Sequence, residues 1–101
     1  MPPRVTIARV DANQPAIVAA LRGIGASVLH LHTLPNCFDI LVGYRGRTFL
    51  MEIKDPAQPP SKRQLTEGEA EFRRTWRGTP YHIVHSEDEA IRLVTASGPP
   101  L

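Results

Sequence analysis

CFDILVGYRGRTFLMEIK, residues Cys37 to Lys54, is the stretch whose reading decides the fold. Two apolar runs flank Arg45-Gly46, a pattern that predicts two strands folded back on a two-residue loop. With that loop Tyr44 faces Arg47, and pairing continues outward through Val42 and Phe49, Ile40 and Met51, to Asp39 and Glu52. A four-residue loop preserves these pairs, whereas a three-residue loop moves Asp39 to a diagonal. Side chains alternate along a strand, so Lys54 shares the face of Glu52. Two carboxylates placed directly opposite repel each other unless a cation lies between them. Here they sit among Phe38, Ile40, Leu41, Val42, Phe49, Leu50, Met51 and Ile53, where charge is costly. Acids and a lysine that break the pattern of an apolar hairpin mark a candidate functional site. The chemistry they suggest is a divalent-metal site with an amine beside it.

Working outward, the nearly continuous apolar character of both strands predicts a sheet covered on both faces. Upstream, Asp11 or Asn13 can cap a helix over about 14–24. Pro15 falls in its first turn, Ile17, Val18, Leu21 and Ile24 recur at helical spacing, and Gly23 and Gly25 stop it. SVLHLHT, residues 27–33, alternates as a strand does, and Pro35-Asn36 turns the chain into the hairpin. Downstream, the proline-rich residues 55–61 form a stiff loop. Ser61-Lys-Arg-Gln64 and Thr66-Glu-Gly-Glu69 each fit a capping box, with Thr66 the preferred cap. The helix it opens runs through Ala70, Phe72, Arg73 and Trp76 to Gly78, with Trp76 expected in the core or at a subunit contact. PYHIVH, residues 80–85, is a fourth strand, and Ser86-Glu-Asp-Glu89 caps a last helix. The expected fold is α/β: one domain over 1–101, with a mixed four-stranded sheet flanked by helices, an N-terminal arm (1–10) and a flexible tail (97–101). The helical crossover makes the last strand pair parallel.

Composition narrows the class. A chain of 101 residues with 42% hydrophobic and 22% charged side chains forms one ordinary globular core. A net charge of +2 permits nucleic-acid binding without demanding it. One cysteine excludes an internal disulfide and a thiolate metal site. There is no apolar run of membrane-spanning length and no signal-peptide pattern. No P-loop, dinucleotide fingerprint or serine or cysteine nucleophile with partners is present. His30, His32, His82 and His85 match no zinc spacing and read as polar positions at sheet edges, with His30 or His32 able to line a cleft.

The αβββαβ order, with Asp39 on the second strand and Glu52-Ile53-Lys54 on the third, resembles the PD-(D/E)XK nucleases, which have a restriction-endonuclease-like core. Within them it is similar to small phage and bacterial VRR-NUC and Holliday-junction-resolvase-like enzymes. The resemblance implies that Asp39 and Glu52, with the backbone carbonyl of Ile53, hold Mg²⁺ or Mn²⁺ and that Lys54 positions or activates the attacking water. Hard oxygen ligands suit those ions. Two departures stand out. Phe38 replaces the proline that often precedes the aspartate, and the first helix carries no glutamate. Asp11 or Gln14 is the candidate substitute, and Gln64 matches an accessory glutamine of some resolvase-like members. Lys62 and Arg63, in the loop leaving the Lys54 strand end, are the candidate DNA contacts. The arginines at 73, 74 and 77 fit a solvated, acid-balanced face equally well. The implied protein is a structure-selective DNA endonuclease in a bacterial or phage-infected cytoplasm. Its implied partners are DNA, a second copy in a homodimer or higher oligomer, and a helicase or packaging protein. The alternatives are a non-catalytic DNA-binding or assembly module on the same fold, and a small partner-binding domain with no nucleic-acid role. For the three site residues the plain alternative is a surface ion cluster.

Overall fold

Both residues of the hairpin loop occupy the left-handed region, Arg45 at φ 50° and Gly46 at φ 80°. That is the type I′ geometry, whose twist matches the paired strands on either side. In this computed structural model, which describes residues 10–96, the loop joins β2 (Ile40–Tyr44) to β3 (Arg47–Ile53). Tyr44 lies opposite Arg47 and Ile40 opposite Met51. The arm expected over 1–10, apart from Val10, and the tail over 97–101 lie outside the described residues.

The remaining elements are α1 (Gln14–Gly23), β1 (Ser27–His30), a short 3-10 turn (Pro60–Lys62), α2 (Glu67–Thr75), β4 (Tyr81–Val84) and α3 (Glu87–Ala96). The sheet order is β1-β2-β3-β4, antiparallel except for the β3–β4 pair, which is parallel as the helical crossover requires. The α/β class and the mixed four-stranded sheet flanked by helices are therefore as expected. No helix among the described residues is long and apolar enough to cross a membrane.

Alternation divides the hairpin. Ile40, Val42, Phe49, Met51 and Ile53 face one way and meet Ile17 and Leu21 of α1, Val28 of β1, Val84 of β4, and Ala90 and Val94 of α3 in one core. Asp39, Leu41, Leu50, Glu52 and Lys54 fall on the opposite register. Cover on that second side is partial, contrary to the expectation of two covered faces. Phe72 of α2 packs near Phe38 and Tyr81, with ring centroids 5.8 and 6.1 Å away. Leu29 of β1 is 59% exposed. The helix α2 is short and buries no residue fully, so it shelters the β3–β4 half and leaves β1 open.

Several local signals resolve differently from expectation. The Asn13 side chain makes no cap hydrogen bond, because its backbone is already helical (φ −84°, ψ −5°). Its amide instead donates to the carbonyls of Lys54 (3.3 Å) and His85 (3.0 Å). At the other end of α1, Ala26 N–H reaches Leu21 C=O and Gly25 N–H reaches Arg22 C=O. This is a Schellman stop with Gly25 at φ 97°. The first strand ends at His30 rather than Thr33, since Leu34 N–H turns back onto Leu31 C=O. The Ser61 capping box is absent, and the 3-10 turn there has no side-chain cap. Helix α2 stops at Thr75, short of Gly78. Trp76 turns to extended backbone, stacks on Phe72 at 5.3 Å and donates from Nε1 to Thr79 C=O at 2.8 Å. It is 42% exposed rather than in the core, and it lies so close over Gly78 that a Cβ there would meet the indole at 2.7 Å.

Met51 is fully buried at the centre of the sheet. Met51→Ala is expected to destabilise the fold by about 2–5 kcal/mol through lost burial and a residual cavity. Urea denaturation checks this, with a lowered midpoint and an unchanged slope.

Candidate functional site

The site is built by the end of the hairpin. Asp39 lies just before β2 rather than on it, and is not paired with Glu52 as expected: its N–H donates at 3.1 Å to the C=O of Met51, the residue already opposite Ile40. Its carboxylate Oδ2 accepts from Ile53 N–H at 2.8 Å. That bond fixes the aspartate against the third strand, one residue from Glu52. Glu52 is 3% exposed and Lys54 8% exposed. The Lys54 ammonium lies 3.2 Å from Glu52 Oε2 and 3.2 Å from Glu69 Oε1. The other Glu52 oxygen, Oε1, is buried with no hydrogen-bond partner among the described residues. An unsatisfied buried carboxylate oxygen is costly, and such a group calls for a functional explanation.

These groups line a cleft of about 710 Å³ together with Val10, Asp11, Ala12, Ile53, Gln58, Lys62 and Thr66. Asp39, Glu52 and Glu69 also line a smaller pocket on the other side, of about 220 Å³, which includes His32 and Cys37. The larger cleft thus gathers four carboxylates against two amines. Glu69 is the residue that sequence reasoning missed as part of the site. Its capping box with Thr66 is present as expected, Glu69 N–H donating to Thr66 Oγ1 at 3.1 Å and Thr66 N–H to Glu69 Oε1 at 2.9 Å. No local sequence signal reveals its second role, which depends on where α2 lies relative to Lys54.

The other candidates are dispersed. Asp11 and Lys62 line the cleft. Gln14, 1% exposed, lines a different pocket with Arg22, His30 and His32, its Nε2 lying 3.5 Å from His30 Nδ1. Gln64 and Arg63 are exposed. Ile53 lines the cleft, with its N–H committed to Asp39.

Electrostatics follow from this packing. Burial, and then the charges of Asp39 and Glu69, push the Glu52 carboxyl up to about 9 despite Lys54. Burial also raises Asp39 and Asp11. Burial alone would lower Lys54, but Glu52 and Glu69 outweigh it and hold the amine above its usual range. Burial likewise opposes the charge on Glu69, yet the Thr66 N–H and Lys54 together keep it below the ordinary glutamate range.

No group of three or more His, Cys, Asp or Glu among the described residues is gathered closely enough to hold a metal by itself. The donor set still suits a hard cation. Mg²⁺ is commonly held by one or two carboxylates, the remaining positions being filled by water and substrate oxygens. Asp39 and Glu52 supply two carboxylates, one with an unpartnered buried oxygen, beside an open polar cleft.

The pH dependence of stability has a definite sign. Between about 4.5, the ordinary glutamate value, and about 9, the folded chain keeps a proton on Glu52 that the unfolded chain releases. Stability from this group is full below the lower value and is lost as pH rises through the higher one. Asp39 acts in the same direction, while His82, held low by burial, opposes it. In chelator-containing buffer, Glu52→Gln is therefore expected to melt several degrees above the wild type at pH 9. A domain of this size shifts by roughly 4–8 °C per kcal/mol. The gap should close toward pH 5, and thermal melts of the two proteins across that range check it.

No protein-family model matches the chain, and neither does any curated protein or solved structure. The functional reading therefore rests on the chemistry of this cleft.

Proposed function

We propose that the protein is a Mg²⁺- or Mn²⁺-dependent nuclease that hydrolyses DNA phosphodiester bonds, acting as an endonuclease selective for DNA structure. The observation that carries this reading is the buried Glu52, one oxygen without a hydrogen-bond partner among the described residues and the other 3.2 Å from Lys54, lining an open cleft together with Asp39. Asp39, Glu52 and the Ile53 carbonyl would hold the ion. When bound, the ion supplies polarisation of the phosphodiester and a water that is nucleophilic near neutral pH.

The chain's own residues do the rest. The Ile53 N–H holds Asp39 in one orientation. Lys54, held between Glu52 and Glu69, stays protonated, so it serves as a charged donor to a phosphate oxygen rather than as a proton acceptor. Lys62, which also lines the cleft, offers a second cation to a flanking phosphate. A cleft this small contacts few bases, which favours recognition of DNA shape over sequence. A two-fold dimer would lengthen the DNA track.

A second reading, a non-catalytic DNA-binding or assembly module, draws on one observation. Lys54 already pairs with both Glu52 and Glu69, and α1 sends its buried Gln14 to a different pocket. Such a module would bind DNA with steep salt dependence, yet gain no thermal stability from Mn²⁺.

The expected outcome is nicking of supercoiled plasmid and of branched or flapped DNA that requires Mg²⁺ or Mn²⁺. Glu52→Ala and Lys54→Ala should each lose at least about a hundredfold in rate, the scale of removing a transition-state donor or ligand. Absence of cleavage across the substrate panel, or equal cleavage by both variants, defeats the enzyme reading.

A further inference from the structure

Glu69 belongs to the first turn of α2, on a different element from the hairpin, yet its Oε1 reaches the hairpin's amine. That one oxygen accepts from Lys54 Nζ at 3.2 Å and from Thr66 N–H at 2.9 Å. The Thr66 hydroxyl in turn accepts from Glu69 N–H. The carboxylate is therefore fixed by its own helix cap rather than by Lys54, and the cap orients it whether or not the amine is present. The Lys54 side chain leaves β3 on the same face as Glu52 and ends between the two acids. Without Glu69, Glu52 would be the one ion-pair partner left to it among the described residues.

The consequence concerns competition. A divalent cation taking Glu52 must share that carboxylate with an ammonium 3.2 Å away, and two cations beside one acid repel each other. A second acid behind the amine relieves that repulsion and gives the amine another partner. We propose that Glu69 is a positioning residue: it holds the Lys54 ammonium at the edge of the site and compensates its charge, so that Glu52 is free to take a divalent cation. This rests on the reading that Asp39 and Glu52 are the metal's carboxylates. Glu69 acts here through Lys54 and is not itself a ligand.

The test is a double-mutant cycle on Mn²⁺ affinity, read by titration calorimetry and independent of any DNA cleavage. The proteins are wild type, Glu69→Gln, Lys54→Ala and the double variant. Glutamine at this position still completes a capping box, so Glu69→Gln removes the charge while keeping the helix start. A thermal melt confirms that each variant is folded. The expected result is that Glu69→Gln weakens Mn²⁺ binding by about fivefold or more when Lys54 is present, the lower end of ordinary coupling between sites. With Lys54→Ala the same change should cost less than about twofold, since there is then no amine to compensate.

Equal Mn²⁺ affinity of wild type and Glu69→Gln overturns the proposal while leaving the metal site standing. So does an equal or larger loss in the Lys54→Ala background, which would make Glu69 a direct ligand. A wild-type protein that binds no Mn²⁺ overturns the metal reading itself, and this proposal with it.

Discussion

Two consecutive residues in the left-handed region, Arg45 and Gly46, determine where every other group in the hairpin falls. One residue more in that loop would shift the register and turn one strand's side chains to the opposite face. Asp39 would then no longer stand beside Ile53 N–H. The apolar residues of both strands enforce the same register from the other side. Ile40, Val42, Met51 and Ile53 reach the core only if the pairing is as observed. Loop geometry and core burial agree, so the acids are carried to their position by forces unrelated to their charge.

What those forces impose is electrostatically unfavourable. Glu52 is held out of water close to two other carboxylates, with one amine to offset them. A sheet evolving for stability alone would place leucine or threonine at position 52, where the neighbours on the strand are Met51 and Ile53. The second face of the sheet is also left half open, with α2 sheltering β3 and β4 while Leu29 meets solvent. The cleft lies where this partial cover ends. Asp39, Glu52 and Lys54 line it.

Much of this was legible in the chain because short-range rules and alternation govern it. The type I′ turn, the register that sets Ile40 opposite Met51, the Thr66 capping box and the parallel fourth strand follow from spacing and residue type. The expected pairing of Asp39 with Glu52 is not formed: the ladder stops at Ile40 and Met51, and Asp39 N–H bonds Met51 C=O instead. What escaped depends on long-range placement. Asn13 reads as a cap, but its amide bonds carbonyls at positions 54 and 85, which no local pattern reveals. Trp76 fits a helical stripe, yet an indole resting on a glycine two residues later ends the helix first. Gln14 sits near Asp11 in the sequence, but one turn of helix sends it to another pocket. Glu69 was readable as half of a helix cap. Its second partnership, with an amine fifteen residues earlier, required knowing where α2 lands against β3. Nothing in the composition distinguishes an acid that solvates a helix from one that faces a cleft.

The Asn13 side chain bears on how the domain comes together in time. Its amide ties the start of α1 to the ends of β3 and β4, across separations of 41 and 72 residues. The carbonyl of Lys54 is one of its two acceptors, so the backbone beneath the site's amine is secured only once the segment leading into α3 has arrived. The hairpin, by contrast, is contained in eighteen consecutive residues. A nascent or truncated chain would thus lack the brace that ties the Lys54 backbone to the start of α1. The fold itself would then act as a timer, withholding a finished brace until the chain has reached His85.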